Sequence, residues 1–275
     1  MKTLSLAACI FVGAALLPAQ NLDRNKPFAA HKVIGNVYFV GTADLGSYLI
    51  TTPEGHILVN SDYESTVPII RASVEKLGFK FNDIKIILGS HAHGDHMEGD
   101  ALAKELSGAR VMALEQDVPA LQAMKPGGKP HPIDRVLHDG DEVKLGDAIL
   151  TAHLTAGHTK GCTTWSMKAS DAGKSYDVVI VCSVGFNPGY VLVNNRDYPQ
   201  IAADYVRSFA TLRQLPCDVF LAAHGSFYDV QGKYAKLQSG GPNPFIDHAG
   251  YLAYIDLKEK QFNAEVERQK NAGKP

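Results

Sequence analysis

Three imidazoles and a carboxylate fall within six residues at His91-Ala92-His93-Gly94-Asp95-His96. Imidazole nitrogen and carboxylate oxygen form a ligand set that suits zinc. The cluster follows the apolar run Ile84-Lys85-Ile86-Ile87-Leu88 and the pair Gly89-Ser90, which read as a buried strand opening into a loop. On a helix His91 and His93 would point about 200° apart. A tight loop turns them inward together, so the spacing places the whole cluster on a loop. A site built on His91 and His93 needs a third protein ligand and one open position. His158, in Ala156-Gly157-His158-Thr159 after a strand over Ala148 to Leu154, has the same strand-to-loop setting. Asp95 and His96 start a second site, and His224 completes it, after Val219-Phe220-Leu221-Ala222 and before Gly225. His248 rivals His224 but has no strand ahead of it. His31, His56, His131, His138 and His153 carry no partner motif and read as structural or solvated.

The elements that must position these residues alternate. Val33 to Gly41 has strand composition, and Gly46–Thr52 with His56–Asn60 reads as a hairpin around the turn Thr52-Pro53-Glu54-Gly55. Ser65 to Leu77 carries Val67, Ile70, Val74 and Leu77 at helical spacing and stops at Gly78. A helix follows over Asp100 to Leu106, then a strand over Val111 to Leu114 and a short helix over Gln116 to Met124. Lys125 to Pro132 is a Pro- and Gly-rich loop. Strands return over Glu142 to Leu145 and Ala148 to Leu154. Thr163 to Lys168 and Tyr176 to Cys182 then flank the polar stretch Ala169 to Ser175. Helices over Tyr198 to Leu215 and Ile246 to Gln269 enclose a strand over Cys217 to Ala222. Strands, helix, strand and histidine loop, followed by the same theme, predict two sheets packed together with helices outside. No linker separates the halves, so residues 21 to 275 form one domain.

The 275 residues are 45% hydrophobic and 20% charged, enough for a sizeable core. A net charge of −2 provides no basic field and argues against a nucleic-acid partner. Residues 1 to 20 read as a secretory signal: Lys2, an apolar run over Leu4 to Leu17, and a cleavage region at Pro18-Ala19-Gln20. Leu6-Ala7-Ala8-Cys9 resembles a lipoprotein box, but the apolar run continues past Cys9, so ordinary export to the periplasm is the expectation, with no membrane span. An oxidising compartment permits one disulfide among Cys162, Cys182 and Cys217. A turn centred on Ala172 sets Cys162 opposite Cys182 across the hairpin, which allows a bridge there. Two buried free thiols are the alternative.

The pattern His-x-His-x-Asp-His, then Gly-His-Thr, then a strand-end His resembles the metallo-β-lactamase fold superfamily. Leu154-Thr155-Ala156-Gly157-His158-Thr159-Lys160-Gly161-Cys162-Thr163-Thr164-Trp165 and Asn187-Pro188-Gly189-Tyr190 resemble subclass B3 in particular. The resemblance implies an α+β fold, an αβ/βα sandwich of two mixed sheets with helices on the outer faces and two zinc ions at one edge. It implies that His91, His93 and His158 hold one zinc and that Asp95, His96 and His224 hold the other. A metal-activated water would then hydrolyse the lactam amide of penicillins, cephalosporins and carbapenems, with Asp95 orienting it, as a monomer acting on small molecules. Ser183, Asn187 and Tyr190 match positions that contact substrate in that subclass.

One absence separates branches of the superfamily. Glyoxalase- and lactonase-type members place a metal-bridging aspartate at the end of the strand between the last two histidines. Here that strand ends in Cys182-Ser183, which favours the β-lactamase branch. A thiolate ligand at Cys182 is the minor alternative. Gly94 stands where the subclass often has a bulkier residue, and Met97-Glu98-Gly99-Asp100 is more polar than its usual run; both bear on substrate range. By the resemblance, Cys217 would pair with a cysteine early in the terminal helical region, but that region reads Asp247-His248-Ala249-Gly250-Tyr251, which predicts a buried unpaired thiol. The rivals are a lactonase or thioester hydrolase on the same metal site, and a zinc-binding protein without activity.

Overall fold

Alternation along the central strands builds the molecule. The computed structural model describes residues 24 to 272; the signal segment expected over residues 1–20 lies outside them. Strands β1 (His31–Ile34), β2 (Val37–Phe39), β3 (Tyr48–Thr52), β4 (Gly55–Val59), β5 (Ile84–Leu88), β6 (Arg110–Leu114) and β7 (Arg135–Leu137) form one sheet in chain order. Strands β8 (Glu142–Leu145), β9 (Ala148–Leu154), β10 (Thr163–Asp171), β11 (Lys174–Val181) and β12 (Val219–Ala222) form the second, in the order β12-β11-β10-β9-β8. Both sheets are mixed: β4 to β7 pair parallel, as do β11 and β12, and the other neighbours pair antiparallel.

Side chains of period two on β4 and β5 serve two cores. Ile57, Val59, Ile86 and Leu88 face the second sheet, where they meet a core containing Leu150, Trp165, Met167 and Ile180. Leu58 and Ile87 face outward and are covered by Val67, Ile70 and Val74 of α1 (Val67–Lys76) and Ala103 of α3 (Asp100–Ser107). A short helix α2 (Gly94–Met97) precedes α3, and α4 (Val118–Ala123) follows β6. On the other side α5 (Ile201–Gln214) and α7 (His248–Ala272) meet through Tyr205, Phe209 and Phe262, and Tyr251 of α7 packs on Phe220 of β12. Helix α6 (Val230–Gln238) lies between β12 and α7 in the chain. This is the expected αβ/βα sandwich. Among the described residues no helix is long and apolar enough to cross a membrane.

Several local expectations are corrected. Val33 to Gly41 is not one strand: Gly35, at φ +51°, turns the chain between β1 and β2. The β10–β11 hairpin is longer than its polar tip indicates, because Ala172 and Gly173 (φ +48° and +79°) make a two-residue turn of the type that matches strand twist. Its register pairs Trp165 with Ile180, so Cys162 and Cys182 sit one position off direct opposition. Cys162 lies just beyond the ladder's end and still reaches its partner: the two form a disulfide with a Cα–Cα distance of 5.9 Å. Cys217 is a free buried thiol. The bridge ties the segment between His158 and β10 to the end of β11. Replacing both Cys162 and Cys182 by alanine is expected to lower unfolding stability by about 3 kcal/mol, read from urea midpoints; an unchanged midpoint would show that packing alone holds the hairpin base.

Candidate active site

The histidine loops leave the strands at one edge for a topological reason. β9, β11 and β12 run in one direction, since β10 is antiparallel to both β9 and β11 and β12 is parallel to β11. The carboxyl ends of β9 and β12 therefore open at the same edge, and His158 and His224 follow them. The other sheet contributes the end of β5. Trp165 Nε1 donates to Gly89 O at 3.1 Å, and Thr163 N donates to Ser90 O at 2.7 Å, so the end of β5 is bonded to the start of β10.

His91 and His93 precede α2 in non-helical backbone, whereas Asp95 and His96 lie on it. The expectation of a single loop is thus corrected: one helical turn starts at Gly94 and carries Asp95 and His96. His91, His93 and His158 each offer a ligand atom within 4.8 Å of the others, and so do His91, Asp95 and His96. Nε2 of His96 lies 3.2 Å from Nε2 of His224, and Asp95 Oδ2 lies 3.5 Å from the first and 3.6 Å from the second. Ligands about 2.1 Å from a tetrahedral zinc are about 3.4 Å apart, so this triangle has the size of a metal's coordination edge. The His91 and His96 rings are 4.3 Å apart, which sets the two groups side by side. Nε2 of His91 is buried with no hydrogen-bond partner, as a nitrogen awaiting a cation would be. A further geometric group, His91 with Cys162 and Cys182, offers no thiolate, because the two cysteines are bonded to each other. Cys182 therefore is not available as a soft ligand.

Residues outside the motif hold the ligands in place. Asp117, buried before α4, accepts from Ala92 N (2.8 Å), Thr159 Oγ1 (2.9 Å) and Gly161 N (2.7 Å). One carboxylate thus clips the His91–His93 loop to the His158 loop. Asn60-Ser61-Asp62 supports α2: Asn60 Oδ1 accepts from Ser90 N, and Ser61 N and Asp62 N both approach His96 O. Asn60 and Asp62 take left-handed backbone (φ +64° and +57°) to do so. Burial pushes the Asp62 carboxyl well above the usual range, against one bond from Ser47. Asp44 Oδ2 lies 3.3 Å from Nδ1 of His224, and its Oδ1 accepts from Ser226 N. Burial raises the Asp44 pKa, but the contacts with His224 and Ser226 outweigh it and hold the group well below the carboxylate range. Gly185 O accepts from His158 Nδ1 at 2.8 Å, which leaves Nε2 as that ring's free lone pair. Gly157, at φ +135°, lies on the face of Tyr205, where a Cβ would stand 2.7 Å from the ring.

The remaining expected positions are mixed. Tyr190 stacks on His158 at 5.9 Å, and its hydroxyl donates to His158 O. Ser183 is buried beside Cys182, and Asn187 is exposed at the start of the turn closed by Tyr190 N to Asn187 O. Gly94 has room beside Glu98 and Tyr63. His131 is a buried partner of Asp100 at 3.2 Å behind α2, and His248 bonds Cys217 O; neither joins the cluster.

Residues 47–224 match the metallo-beta-lactamase superfamily model; the chain belongs to that superfamily. Within it the likeness lies with subclass B3. It is 47% identical to the FEZ-1 metallo-beta-lactamase from Legionella gormanii, covering 89% of this chain and 98% of that one with a TM-score of 0.86. It is 32% identical to LRA-12, a class B3 di-zinc metallo-beta-lactamase from an Alaskan soil metagenome (89% and 97% covered, TM-score 0.83). A hydroxyacylglutathione hydrolase of Rhodopseudomonas palustris is 28% identical over 228 residues, 83% of this chain and 75% of that protein. The alignment to a Cereibacter sphaeroides enzyme of the same name spans about half of its length, 51%.

Burial, reinforced by neighbouring imidazoles, pushes His91 and His96 well below the ordinary histidine value and His158 to about 3. The unfolded chain takes up these protons below about pH 6.5 and the folded chain resists them. Stability of the metal-free protein is therefore full above that pH and lost as pH falls, by up to about 1.4 kcal/mol per pH unit for each such histidine. Urea midpoints of chelator-treated protein are expected to hold level from pH 7.5 to about 6.5 and to drop steadily from there to pH 5; a flat profile below pH 6.5 would contradict neutral, desolvated imidazoles.

Proposed function

We propose that the protein is an exported zinc β-lactamase that binds two zinc ions, one between His91, His93 and His158 and one between Asp95, His96 and His224. The observation that carries this reading is the pair of ligand groups meeting at His91 and His96, with unpartnered ring nitrogen turned inward. Zinc bound there supplies a water acidified toward neutral pH and a Lewis acid for a carbonyl oxygen. The chain's own residues do the rest. Asp95 has a second carboxylate oxygen to accept a hydrogen bond from the attacking water and orient it. Asp44 and Gly185 O fix the rings of His224 and His158, so their Nε2 atoms stay as lone-pair donors. Water adds its oxygen to the lactam carbonyl carbon, the C–N bond breaks, and the nitrogen leaves with a proton. Ser183, Asn187 and Tyr190 line the substrate side. The strand end Cys182-Ser183-Val184-Gly185 carries no carboxylate where thioesterases and lactonases of this superfamily place a bridging aspartate, which supports the lactam over the thioester. The hydroxyacylglutathione hydrolases at 26–28% identity keep the thioester as the second reading. An exported location fits the disulfide.

Purified protein is expected to hydrolyse benzylpenicillin and a carbapenem, to lose that turnover on chelation and to regain it with zinc. S-lactoylglutathione turned over faster than either lactam would move the reading to the thioester. Asp95→Asn is expected to keep zinc at the three histidines while kcat falls about 100-fold or more; zinc content and steady-state rates check both halves.

A further inference from the structure

At the rim of the site stands a cation with no carboxylate partner among the described residues. Lys258 of α7 is half-buried, and burial lowers its pKa from the ordinary lysine value. Its Nζ lies over two aromatic rings, 5.3 Å from the centroid of Phe227 and 5.7 Å from that of Tyr254. The acids of its own helix are committed elsewhere: Asp256 and Glu259 bond Arg213, and Glu265 bonds Arg268. Phe227 in turn lies 4.9 Å from the His224 ring. On the other side is Gly185, whose carbonyl holds His158; a Cβ there would stand 3.6 Å from Lys258 Nζ. The absence of a side chain at Gly185 is what leaves the ammonium open between the supports of both histidines. Gly185, Phe186, Lys258 and Gln261 line part of a cleft of about 500 Å³ beside it.

A penicillin or carbapenem carries its carboxylate two bonds from the scissile nitrogen. An anchor for that anion must therefore stand within a side chain's reach of the ligand cluster, and it gains most where the cation is partly desolvated and unpaired. We propose that Lys258 is the specificity-determining cation of this site, binding the substrate carboxylate across the gap left by Gly185. This rests on the lactam reading above. Cation–π contact with Phe227 and Tyr254 holds the ammonium without neutralising it.

The test compares wild type, Lys258→Met and Lys258→Arg, all zinc-loaded, with benzylpenicillin and its methyl ester. Lys258→Met is expected to raise KM for the acid about tenfold over any change for the ester, with kcat altered far less, and Lys258→Arg to recover most of the loss. Equal changes for acid and ester, or none, would overturn the inference. A second readout needs no turnover: the calorimetric Kd of benzylpenicilloate, the ring-opened dianion. Wild type that hydrolyses neither lactam sinks the β-lactamase reading. The Kd still decides the anchor: weaker binding by Lys258→Met alone supports it, while equal binding, or none by wild type, overturns it. Thermal midpoints of the variants matching wild type keep a folding defect from imitating either result.

Discussion

Neutral imidazoles crowded out of water are the constraint on which this structure depends. His91 lies with ring centroids 4.7 Å from both His93 and His158 and 4.3 Å from His96, which in turn lies 4.8 Å from His224. A proton on any one of them would lose its hydration, and a second on a neighbouring ring would also meet the first at close range. The arrangement is one that resists protons and presents lone pairs. Its cost to a metal-free chain must be met by the surrounding packing, and the two sheets supply it.

Most of the supports are buried acceptors aimed at loop backbone or ring nitrogen, joined by two backbone donors, Ser61 N and Asp62 N, on His96 O. Asp117 joins two loops that come from different sheets, and Asn60 to Asp62 brace the single helical turn that carries Asp95 and His96. Asp44 reaches across from the segment between β2 and β3 to His224 after β12. Each replaces a contact that water would otherwise make, and aromatic faces add to them: Tyr190 stacks on His158 and Phe227 lies against His224. The same logic extends outward to Lys258, which is held by aromatic faces and so keeps its charge free.

Much of this was legible in the sequence because it is local. The His-x-His-x-Asp-His run, the buried strand Ile84 to Leu88 ahead of it, the strand ahead of His158 and the strand ahead of His224 are short-range patterns. What could not be read is what depends on distant pairing. Asp117 and Asp44 look like ordinary surface acids until the fold brings loops from 25 to 182 residues away onto them. Lys258 sits on a polar terminal helix, and only the approach of Gly185 and Phe227 distinguishes it from its neighbours. The β1–β2 turn was the exception: Gly35-Asn36 is a hairpin signal in its own right, masked by the strand-forming residues on both sides. The one-residue offset of Cys162 and Cys182 follows from where the turn centres, which the polar stretch Ala169 to Ser175 leaves open by a position.

The most direct measurement of the account is a zinc-edge anomalous difference map from crystals of the zinc-loaded protein. Two peaks are expected, one among His91, His93 and His158 and one among Asp95, His96 and His224. A single peak, or ions held by other side chains such as His131 and Asp100, would contradict it.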